Sequence, residues 1–286
     1  MSQTWNIACV QMEPRLRQKD ANLRRILERA REAAGQGARL VIFPECAVPG
    51  YCFDDLQDAL RHAEPIPGPS TGVLEDLCKS AGVYIITGIL ERTGDGRLFN
   101  AAALVGPRGV VGSYRKIHLP FLGVDRIATP GDRPFKVWEI DLGTPETALR
   151  VGLHICYDGS FPESVRVMAL QGADLVALPT NWPTGSEYNA DYAPNTRALE
   201  NTIYYAVANR IGTEEGFRFI GRSKICDPSG RTLAEAGADT EQILYAEIDP
   251  AVARNKLLVR VPGKHHINRI ADRRPEMYGL IASPKA

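Results

Sequence analysis

Three polar side chains that could act together in nucleophilic catalysis each follow an apolar segment of the chain. Glu45 follows RLVIFP, Lys116 follows VVGSYR and Cys156 follows RVGLHI. Each of these segments has the length and composition of a β-strand. Because ligand sites in open α/β architectures gather beyond the carboxyl ends of strands, we expect the three side chains to meet at one rim of a sheet.

The chemistry available to this set is that of a thiol nucleophile with a base and a cation. A cysteine thiol is mostly protonated at neutral pH, so a nucleophilic Cys156 needs a base or positive surroundings. Glu45 could accept the proton. Lys116 could stabilise the thiolate and then the oxyanion of a tetrahedral intermediate, together with the backbone N–H of Tyr157. Pro162 indicates that a helix begins shortly after the cysteine, and we expect its N-terminal partial charge to favour the thiolate.

Other interpretations of these residue types remain open. A free buried cysteine in a reducing compartment is ordinarily a small hydrophobe, which is the alternative for Cys156. The six cysteines form no CxxC pair, and no cluster of His, Cys and carboxylates has ligand spacing. We therefore predict that the protein uses no metal and no organic cofactor.

The histidines offer a second arrangement. His118 and His154 flank the lysine and the cysteine, which would suit a Cys–His pair. His154 and Cys156 occupy alternate positions of one predicted strand, however, so packing explains His154 equally well. His265 and His266 are adjacent, which is poor geometry for chelating one metal, and we assign them to a polar arm.

Apolar segments alternate with segments of helical periodicity along the chain. The predicted strands are NIACVQ, ARLVIF, VYIITGIL, LRVGLHI and DLVALPT, with hairpins in LFNAAALVGPRGVVGSYRK and GRSKICDPSGRTLAEAG. Helices are predicted after Asp20 as N-cap, in GVLEDLCKSAG and FPESVRVMALQGA, and in the first half of NTRALENTIYYAVANRIG. This alternation predicts an α/β fold with helices packed on mixed sheets.

No linker, charge block or repeat divides the sequence. We predict a single domain over residues 1–286 with a C-terminal arm from about 260 to 286, which lies on a surface or a neighbouring subunit, or else is a solvated tail. The charge is balanced, with 34 Lys plus Arg and 34 Asp plus Glu, so neither nucleic acid nor a membrane is an expected partner. Because the sequence shows no signal peptide and no apolar span of membrane length, we expect a cytoplasmic protein.

The segments around the three polar residues resemble the nitrilase superfamily of carbon-nitrogen hydrolases. The matching segments are FPE with Glu45, YRKIHLP with Lys116 and CYDGSFPE with Cys156, in the family's order, and they are supported by PGY, PGD, LPTNWP, ENTIYYAVANR and GRSKICDPSG. The resemblance implies a four-layer α-β-β-α sandwich, a homodimer or larger assembly, and a metal-free hydrolase that works through a thioester or thioimidate. It implies Glu45 as general base, Lys116 as cationic stabiliser and Cys156 as nucleophile.

Further site residues are candidates on this resemblance. Tyr51, Tyr157, Asn181 and Trp182 are candidate substrate-binding residues, although a tryptophan beside prolines could equally serve packing. Many amidases of the family carry a second Glu about six residues before Pro-Gly-Asp.

That position is Val124 in this chain. Asp125 is adjacent and is the candidate second carboxylate; its alternative is pairing with Arg126 or Arg133 in a surface loop.

The expected function is that of an amidase releasing ammonia from a small amide. Nitrile-hydrolysing relatives typically carry Trp-Glu after the nucleophile, whereas Tyr157-Asp158 resembles the amidase branches. Relatives that cleave N-carbamoyl amino acids often have an Arg shortly after the nucleophile, which binds the substrate carboxylate. This chain has Gly159-Ser160 at that place, so a substrate carboxylate would have to be bound by Arg197 or Arg210.

An N-carbamoyl amidohydrolase, a nitrilase and a non-catalytic interaction homologue remain alternatives. The last is less favoured because all three costly polar groups are present.

Overall fold

The computed structural model describes residues 4–144 and 148–283. Its strands are β1 (Trp5–Gln11), β2 (Leu40–Ile42), β3 (Tyr84–Arg92), β4 (Leu98–Gly106), β5 (Gly109–Arg115), β6 (Val137–Ile140), β7 (Leu149–Leu153), β8 (Leu175–Thr180), β9 (Tyr204–Asn209), β10 (Ile211–Glu214), β11 (Phe217–Ile220), β12 (Lys224–Cys226), β13 (Thr232–Glu235), β14 (Gln242–Ile248), β15 (Leu258–Val261) and β16 (His265–Ile267). The helices are α1 (Lys19–Gly35), α2 (Leu56–His62), α3 (Pro69–Ala81), α4 (Pro162–Leu170), α5 (Glu187–Asn201) and α6 (Pro250–Arg254).

Two six-stranded sheets form the centre of the fold. The first has the order β14-β1-β2-β3-β4-β5 and the second β13-β12-β9-β8-β7-β6. Strands β1, β2 and β3 are parallel, as are β7, β8 and β9, and antiparallel strands flank each parallel set. Parallel neighbours need long crossovers, which α1, α3, α4 and α5 supply. The loops that follow β2 and β7 therefore begin at carboxyl ends of parallel strands.

Alternation along the strands separates two apolar layers. On β1, Ile7 and Cys9 pack in a core shared with second-sheet residues such as Val151, whereas Ala8 and Val10 pack with residues of α1 and α3. Successive side chains of a strand point to opposite faces, so one sheet faces its partner on one side and helices on the other. Helices α4 and α5 cover the second sheet. The expected four-layer α-β-β-α sandwich is confirmed.

Several local expectations differ from the structure. Helix α1 begins at Lys19 with Gln18 at the N-cap, so the N-cap assignment of Asp20 was wrong; Asp20 lies in the first turn, where a carboxylate complements the helix dipole. Strand β14 was not predicted, although QILYAEI alternates in the way a half-buried strand requires. It pairs antiparallel with β1 and closes that edge of the first sheet.

The C-terminal segment forms a small antiparallel pair, β15 and β16, followed by short 3-10 turns near α4. Most of its side chains are exposed, while Ile270 packs on the core. The organisation as a single domain with an arm stays a prediction. Within the described residues, no helix combines the length and apolar character that a bilayer span requires.

Candidate active site

Glu45 lies in the turn directly after β2 and is fully buried. The turn rests on the backbone of β3, where the Gly88 carbonyl accepts a hydrogen bond from the N–H of Val48 at 3.2 Å. A Cβ at Gly88 would approach Glu45 Cα to 2.6 Å, so only glycine permits this contact. The close approach of β3 thus directs the carboxylate into the interior between the sheets.

Lys116 follows β5 and is also fully buried. Its N–H donates to the Asn100 carbonyl at 2.8 Å, and its own carbonyl accepts from the Gly131 N–H at 2.8 Å. The preceding Arg115 forms a buried ion pair with Glu91 at 2.6 Å. These contacts anchor the main chain on both sides, which leaves the Lys116 side chain directed into the interior.

The two side chains meet in a buried cluster with a second carboxylate. Lys116 Nζ lies 2.7 Å from Glu45 Oε1 and 2.6 Å from Asp125 Oδ2. Asn100 Nδ2 donates to Glu45 Oε1 at 2.7 Å and to Asp125 Oδ1 at 2.8 Å, and the Tyr51 hydroxyl donates to Asp125 Oδ2 at 2.8 Å. The cluster therefore holds one ammonium between two carboxylates, and amide and phenol donors add hydrogen bonds to Glu45 Oε1 and to both oxygens of Asp125.

Asp125 reaches this cluster through a 3-10 turn over Gly123–Arg126. Gly123 has a φ of +50°, and a Cβ there would lie 2.7 Å from the Tyr51 ring, so the turn depends on glycine. The Val124 N–H donates to the Tyr51 carbonyl at 2.9 Å. Asp125 is buried, so the alternative in which it pairs with Arg126 or Arg133 in a surface loop was wrong.

Cys156 begins a 3-10 turn, Cys156–Ser160, after the end of β7. Its φ of +46° is unusual for a residue other than glycine. The Asp158 N–H donates to the Ile155 carbonyl at 3.0 Å, and the Ile155 N–H donates to Asp158 Oδ2 at 3.0 Å, which closes the turn around the cysteine. The residue is buried, and the turn places its thiol within the electrostatic range of Glu45 and Lys116.

Electrostatics keeps the resting thiol protonated. Burial raises the pKa of Cys156 to about 12 and the charge of Glu45 adds to the increase, while Lys116, the Thr180 hydroxyl and the main chain at Asn181 oppose it. Thr180 Oγ1 makes no well-formed hydrogen bond among the described residues, so it lowers the pKa of Cys156 only weakly. The burial cost exceeds the terms that favour the thiolate, so the thiol needs Glu45 as a base; that the start of α4 favours the thiolate stays a prediction.

The Glu45 carboxylate is suited to accept that proton. Burial raises its pKa above the ordinary value and Lys116 opposes the increase, while Asp125 adds to it. Burial lowers the pKa of Lys116, but the charges of Asp125 and Glu45 outweigh burial and raise it well above its usual value. Glu45 Oε1 accepts two hydrogen bonds, whereas buried Oε2 has no partner among the described residues. Oε2 is thus the oxygen free to take a proton.

The candidate substrate-binding residues lie in different surroundings. Asn181 is buried and its Nδ2 donates to the Glu45 carbonyl at 3.0 Å, which leaves Oδ1 without a partner among the described residues. Trp182 is buried, and its main-chain N–H donates to Asn209 Oδ1 at 3.0 Å. Tyr51 is fully buried against Asp125, whereas Tyr157 is 40% exposed. Substrate contact by these four residues stays a prediction.

Asn100 is the site residue that sequence reasoning missed. It lies on β4 and connects Glu45 with Asp125 through its amide nitrogen. The signal was a single polar residue inside the apolar segment LFNAAALV, which is a costly position unless its hydrogen bonds are satisfied.

The histidine side chains have other partners. The ring nitrogens of His154 lie 3.1 Å from Ser164 Oγ and 2.8 Å from the Tyr205 hydroxyl, and burial lowers its pKa to about 4. His118 Nδ1 lies 2.7 Å from Asp158 Oδ1. His265 and His266 lie on exposed β16.

Across residues 4–144 and 148–283, no group of three or more His, Cys, Asp and Glu side chains is placed to hold a metal ion. The absence of a cofactor stays a prediction.

The carbon-nitrogen hydrolase family model matches residues 6–256. The chain is 41% identical over 277 residues to a Pyrococcus abyssi protein named nitrilase, covering 95% of this chain and 98% of that one. It is 34% identical over 243 residues to the human omega-amidase NIT2, covering 81% and 84%.

Two solved structures are similar over most of their length. One is a mutant of the amidase from Nesterenkonia sp. AN1 that carries the acetamide moiety of fluoroacetamide on its active site cysteine; the TM-score is 0.77 at 25% identity, covering 96% of both chains. The other is Saccharomyces cerevisiae Nit3, with a TM-score of 0.77 at 25% identity, covering 88% and 93%. The chain belongs to the carbon-nitrogen hydrolase family, within the nitrilase superfamily.

Proposed function

We propose that the protein is an amidase that releases ammonia from a small amide through an acyl-thioester on Cys156. The observation that carries this proposal is the buried Oε2 of Glu45, which has no partner in the part of the chain that the structure describes and belongs to a cluster next to a protonated thiol. A buried acceptor without a partner is costly, and a hydrogen bond from the thiol, along which the proton can pass, would remove that cost. The mutant of the Nesterenkonia amidase whose active site cysteine carries the acetamide moiety of fluoroacetamide supports the same role for Cys156.

The proposed reaction has two halves. Cys156 Sγ attacks the amide carbonyl carbon while its proton passes to Glu45 Oε2. The Lys116 ammonium and the Tyr157 N–H stabilise the oxyanion. Glu45 then protonates the leaving nitrogen, ammonia departs and the acyl-thioester remains. Water attacks the thioester as Glu45 takes its proton, and the carboxylic acid leaves when the thiol is restored.

The arginines near the site argue against substrates with a free α-carboxylate. Arg197 Nε donates to the Gly159 carbonyl at 3.1 Å, and its Nη1 pairs with Glu200 at 2.9 Å. Arg210 is buried in an ion pair with Glu214 at 2.9 Å. Because both guanidinium groups are engaged by the protein, neither is free to clamp a substrate carboxylate. N-carbamoyl amino acids are therefore less suitable than simple amides.

Nitrile hydrolysis is the second candidate, and two observations favour it. The P. abyssi relative is named nitrilase, and Asp125 lies in the cluster, so a second carboxylate is available to control proton positions. The preference for amides depends on Tyr157-Asp158 after the nucleophile and on the amidase neighbours.

The test compares an amide, an N-carbamoyl compound and a nitrile that share one side chain. Ammonia release gives kcat/KM for each, and the amide is expected to exceed the others by at least about tenfold, or about 1.4 kcal/mol. Glu45→Gln serves as control, since it keeps the hydrogen-bonding shape and removes the base. A nitrile that equals its amide would replace this proposal with the second candidate.

The same control tests the non-catalytic alternative. An acyl-transfer site should let Glu45 deprotonate Cys156 during alkylation by a haloacetamide, so wild-type protein should be alkylated faster than Glu45→Gln. Equal alkylation rates and no ammonia release from any compound would favour a non-catalytic homologue.

A further inference from the structure

One buried carboxylate outside the Glu45–Lys116–Asp125 cluster collects four hydrogen bonds. Asp158 is fully buried in the turn that begins with Cys156. Its Oδ2 accepts from the Tyr114 hydroxyl at 2.8 Å and from the Ile155 N–H at 3.0 Å. Its Oδ1 accepts from the His118 N–H at 3.1 Å and lies 2.7 Å from His118 Nδ1, which donates to a carboxylate. All four partners belong to the chain beside the proposed catalytic residues.

These partners belong to the chain at or just after the end of one strand in each sheet. Tyr114 and His118 stand two residues before and two after Lys116, at the end of β5 in the first sheet. Ile155 directly precedes Cys156, which follows β7 in the second sheet. Apolar packing such as that of Ile7 and Val151 in their shared core also joins the sheets, but it does not define positions along their faces as sharply as directed hydrogen bonds do. Asp158 thus connects the chain around Lys116 with the turn Cys156–Ser160.

The aromatic neighbours hold this connection rigidly. The Tyr114 ring stacks on Phe135 at a centroid distance of 5.6 Å, and the His118 ring stacks on Phe161 at 3.7 Å. The Tyr114 hydroxyl also accepts a hydrogen bond from the N–H of Ile117, the residue after Lys116, at 3.3 Å. It therefore links Asp158 to the main chain on the C-terminal side of Lys116.

Asp158 also holds the nucleophile in its unusual backbone conformation. The reciprocal hydrogen bonds between Ile155 and Asp158 enclose Cys156, whose φ is +46°. A left-handed conformation of a residue other than glycine persists only when its surroundings enforce it.

We infer that Asp158 is a positioning residue that sets where the Cys156 thiol lies relative to the Lys116–Glu45 pair. The inference depends on the proposed function only in that hydrolysis is one of its two measurements. A displacement of about 1 Å in an active site can cost about a hundredfold in rate.

The informative variant is Asp158→Asn. It keeps the shape of the side chain but replaces one acceptor oxygen with an NH2 group, which must face either the Tyr114 and Ile155 donors or the two donors of His118. In either orientation a main-chain N–H, that of Ile155 or that of His118, loses its acceptor.

Asp174→Asn is the matched control. Asp174 is equally buried, next to β8 of the second sheet, and accepts from the Arg150 N–H at 3.0 Å and from Arg254 Nη2 at 2.8 Å. Asp174 lies just before the start of β8, whereas Thr180, which is next to the Cys156 thiol, is the last residue of that strand. The control position is therefore at the end of β8 that is far from the thiol. Loss of a buried carboxylate should lower the Tm of both variants, but only Asp158→Asn should change the chemistry.

Two quantities are measured below the Tm of each variant. The first is kcat and KM for the best amide, expressed per alkylatable Cys156; the second is the alkylation rate of that thiol by a haloacetamide, which needs no substrate. For Asp158→Asn we expect kcat to fall at least about tenfold with KM within about threefold, and alkylation to slow, while Asp174→Asn matches wild type.

The inference is overturned if Asp158→Asn keeps both kcat and the alkylation rate within about twofold of wild type. It is also overturned if Asp174→Asn lowers these two rates as much as Asp158→Asn does. If Asp158→Asn does not fold, Tyr114→Phe decides, because it removes one donor and keeps the carboxylate charge. Slower alkylation in Tyr114→Phe supports the inference, and an unchanged rate overturns it. If wild-type protein hydrolyses no amide, the proposed function fails, while the alkylation rates still test the positioning.

Discussion

Replacement of His154 by glutamine tests both its charge state and its distance from catalysis. The ring is fully buried between Ser164 and Tyr205, and its pKa is lowered to about 4, first by burial and then by Arg197 and His118, with Asp158 opposing. The reference value is 6.5. Between pH 6.5 and 4 the unfolded chain therefore binds a proton that the native protein refuses.

The sign and size of the effect follow from that difference. The neutral ring contributes its full stability above pH 6.5, and this contribution is lost as the pH falls towards 4, because protonation favours the unfolded chain. A separation of about 2.5 pH units at 1.36 kcal/mol per unit corresponds to about 3 kcal/mol. Carboxylates also titrate in this range. The useful quantity is therefore the difference in free energy of unfolding between wild type and variant, because the contribution of the carboxylates cancels from it.

The assay is urea unfolding of wild type and His154→Gln at pH 7 and pH 4. At pH 7 the variant should be less stable, because the hydrogen bonds of the ring to Ser164 and Tyr205 are altered. At pH 4 the difference should have shrunk by about 3 kcal/mol, since wild type alone has lost the histidine contribution. A difference that stays constant with pH would refute a buried neutral ring. The variant should also keep kcat at pH 7 within about threefold, and a loss of about a hundredfold in folded protein would restore the Cys–His arrangement.

Four further outcomes are expected. Cys156→Ser should abolish turnover without changing the circular dichroism spectrum, because a serine hydroxyl is far less acidic than a thiol; full activity of the purified variant would contradict the mechanism. Asp125→Asn should lower kcat at least about tenfold, since it removes one of the two anions beside the buried ammonium, and unchanged kcat would assign Asp125 to structure alone. Because burial first and then Asp125 raise the pKa of Glu45, activity should decline on the acid side of the kcat/KM profile at a pH above 4.5, and a decline confined below 4.5 would contradict Glu45 as the base. Light scattering at micromolar concentration should show a dimer or larger assembly, because Val167 and Leu170 of α4 are exposed, and a sharp monomer would count against it.

The placement of the three proposed catalytic residues could be predicted because it depends on local patterns. Glu45, Lys116 and Cys156 each follow an apolar segment that forms a strand, and strand periodicity is a property of neighbouring residues. Hairpins such as β4–β5 were predictable for the same reason, since Gly-Pro-Arg-Gly marks their turn.

The hydrogen-bonding partners and charge states depended on residues far apart in the chain. Asn100 contacts Glu45 across 55 positions, and His118 contacts Asp158 across 40. No pattern within a segment could show that Asp125 is buried against Lys116, because that follows from Gly123 and the fit of the Tyr51 ring.

The charge state of the thiol shows the same division. The residues after Cys156 predicted a helix start whose partial charge favours the thiolate, but they did not determine the pKa of the thiol. The folded protein raises the pKa of Cys156 to about 12, mainly through burial and then through the charge of Glu45. Burial is the sum of all the chain that packs around a group, so only the tertiary structure determines it. The sequence alone indicated Glu45, Lys116 and Cys156 as candidates, and the packing of two sheets determined their burial and their hydrogen-bonding partners.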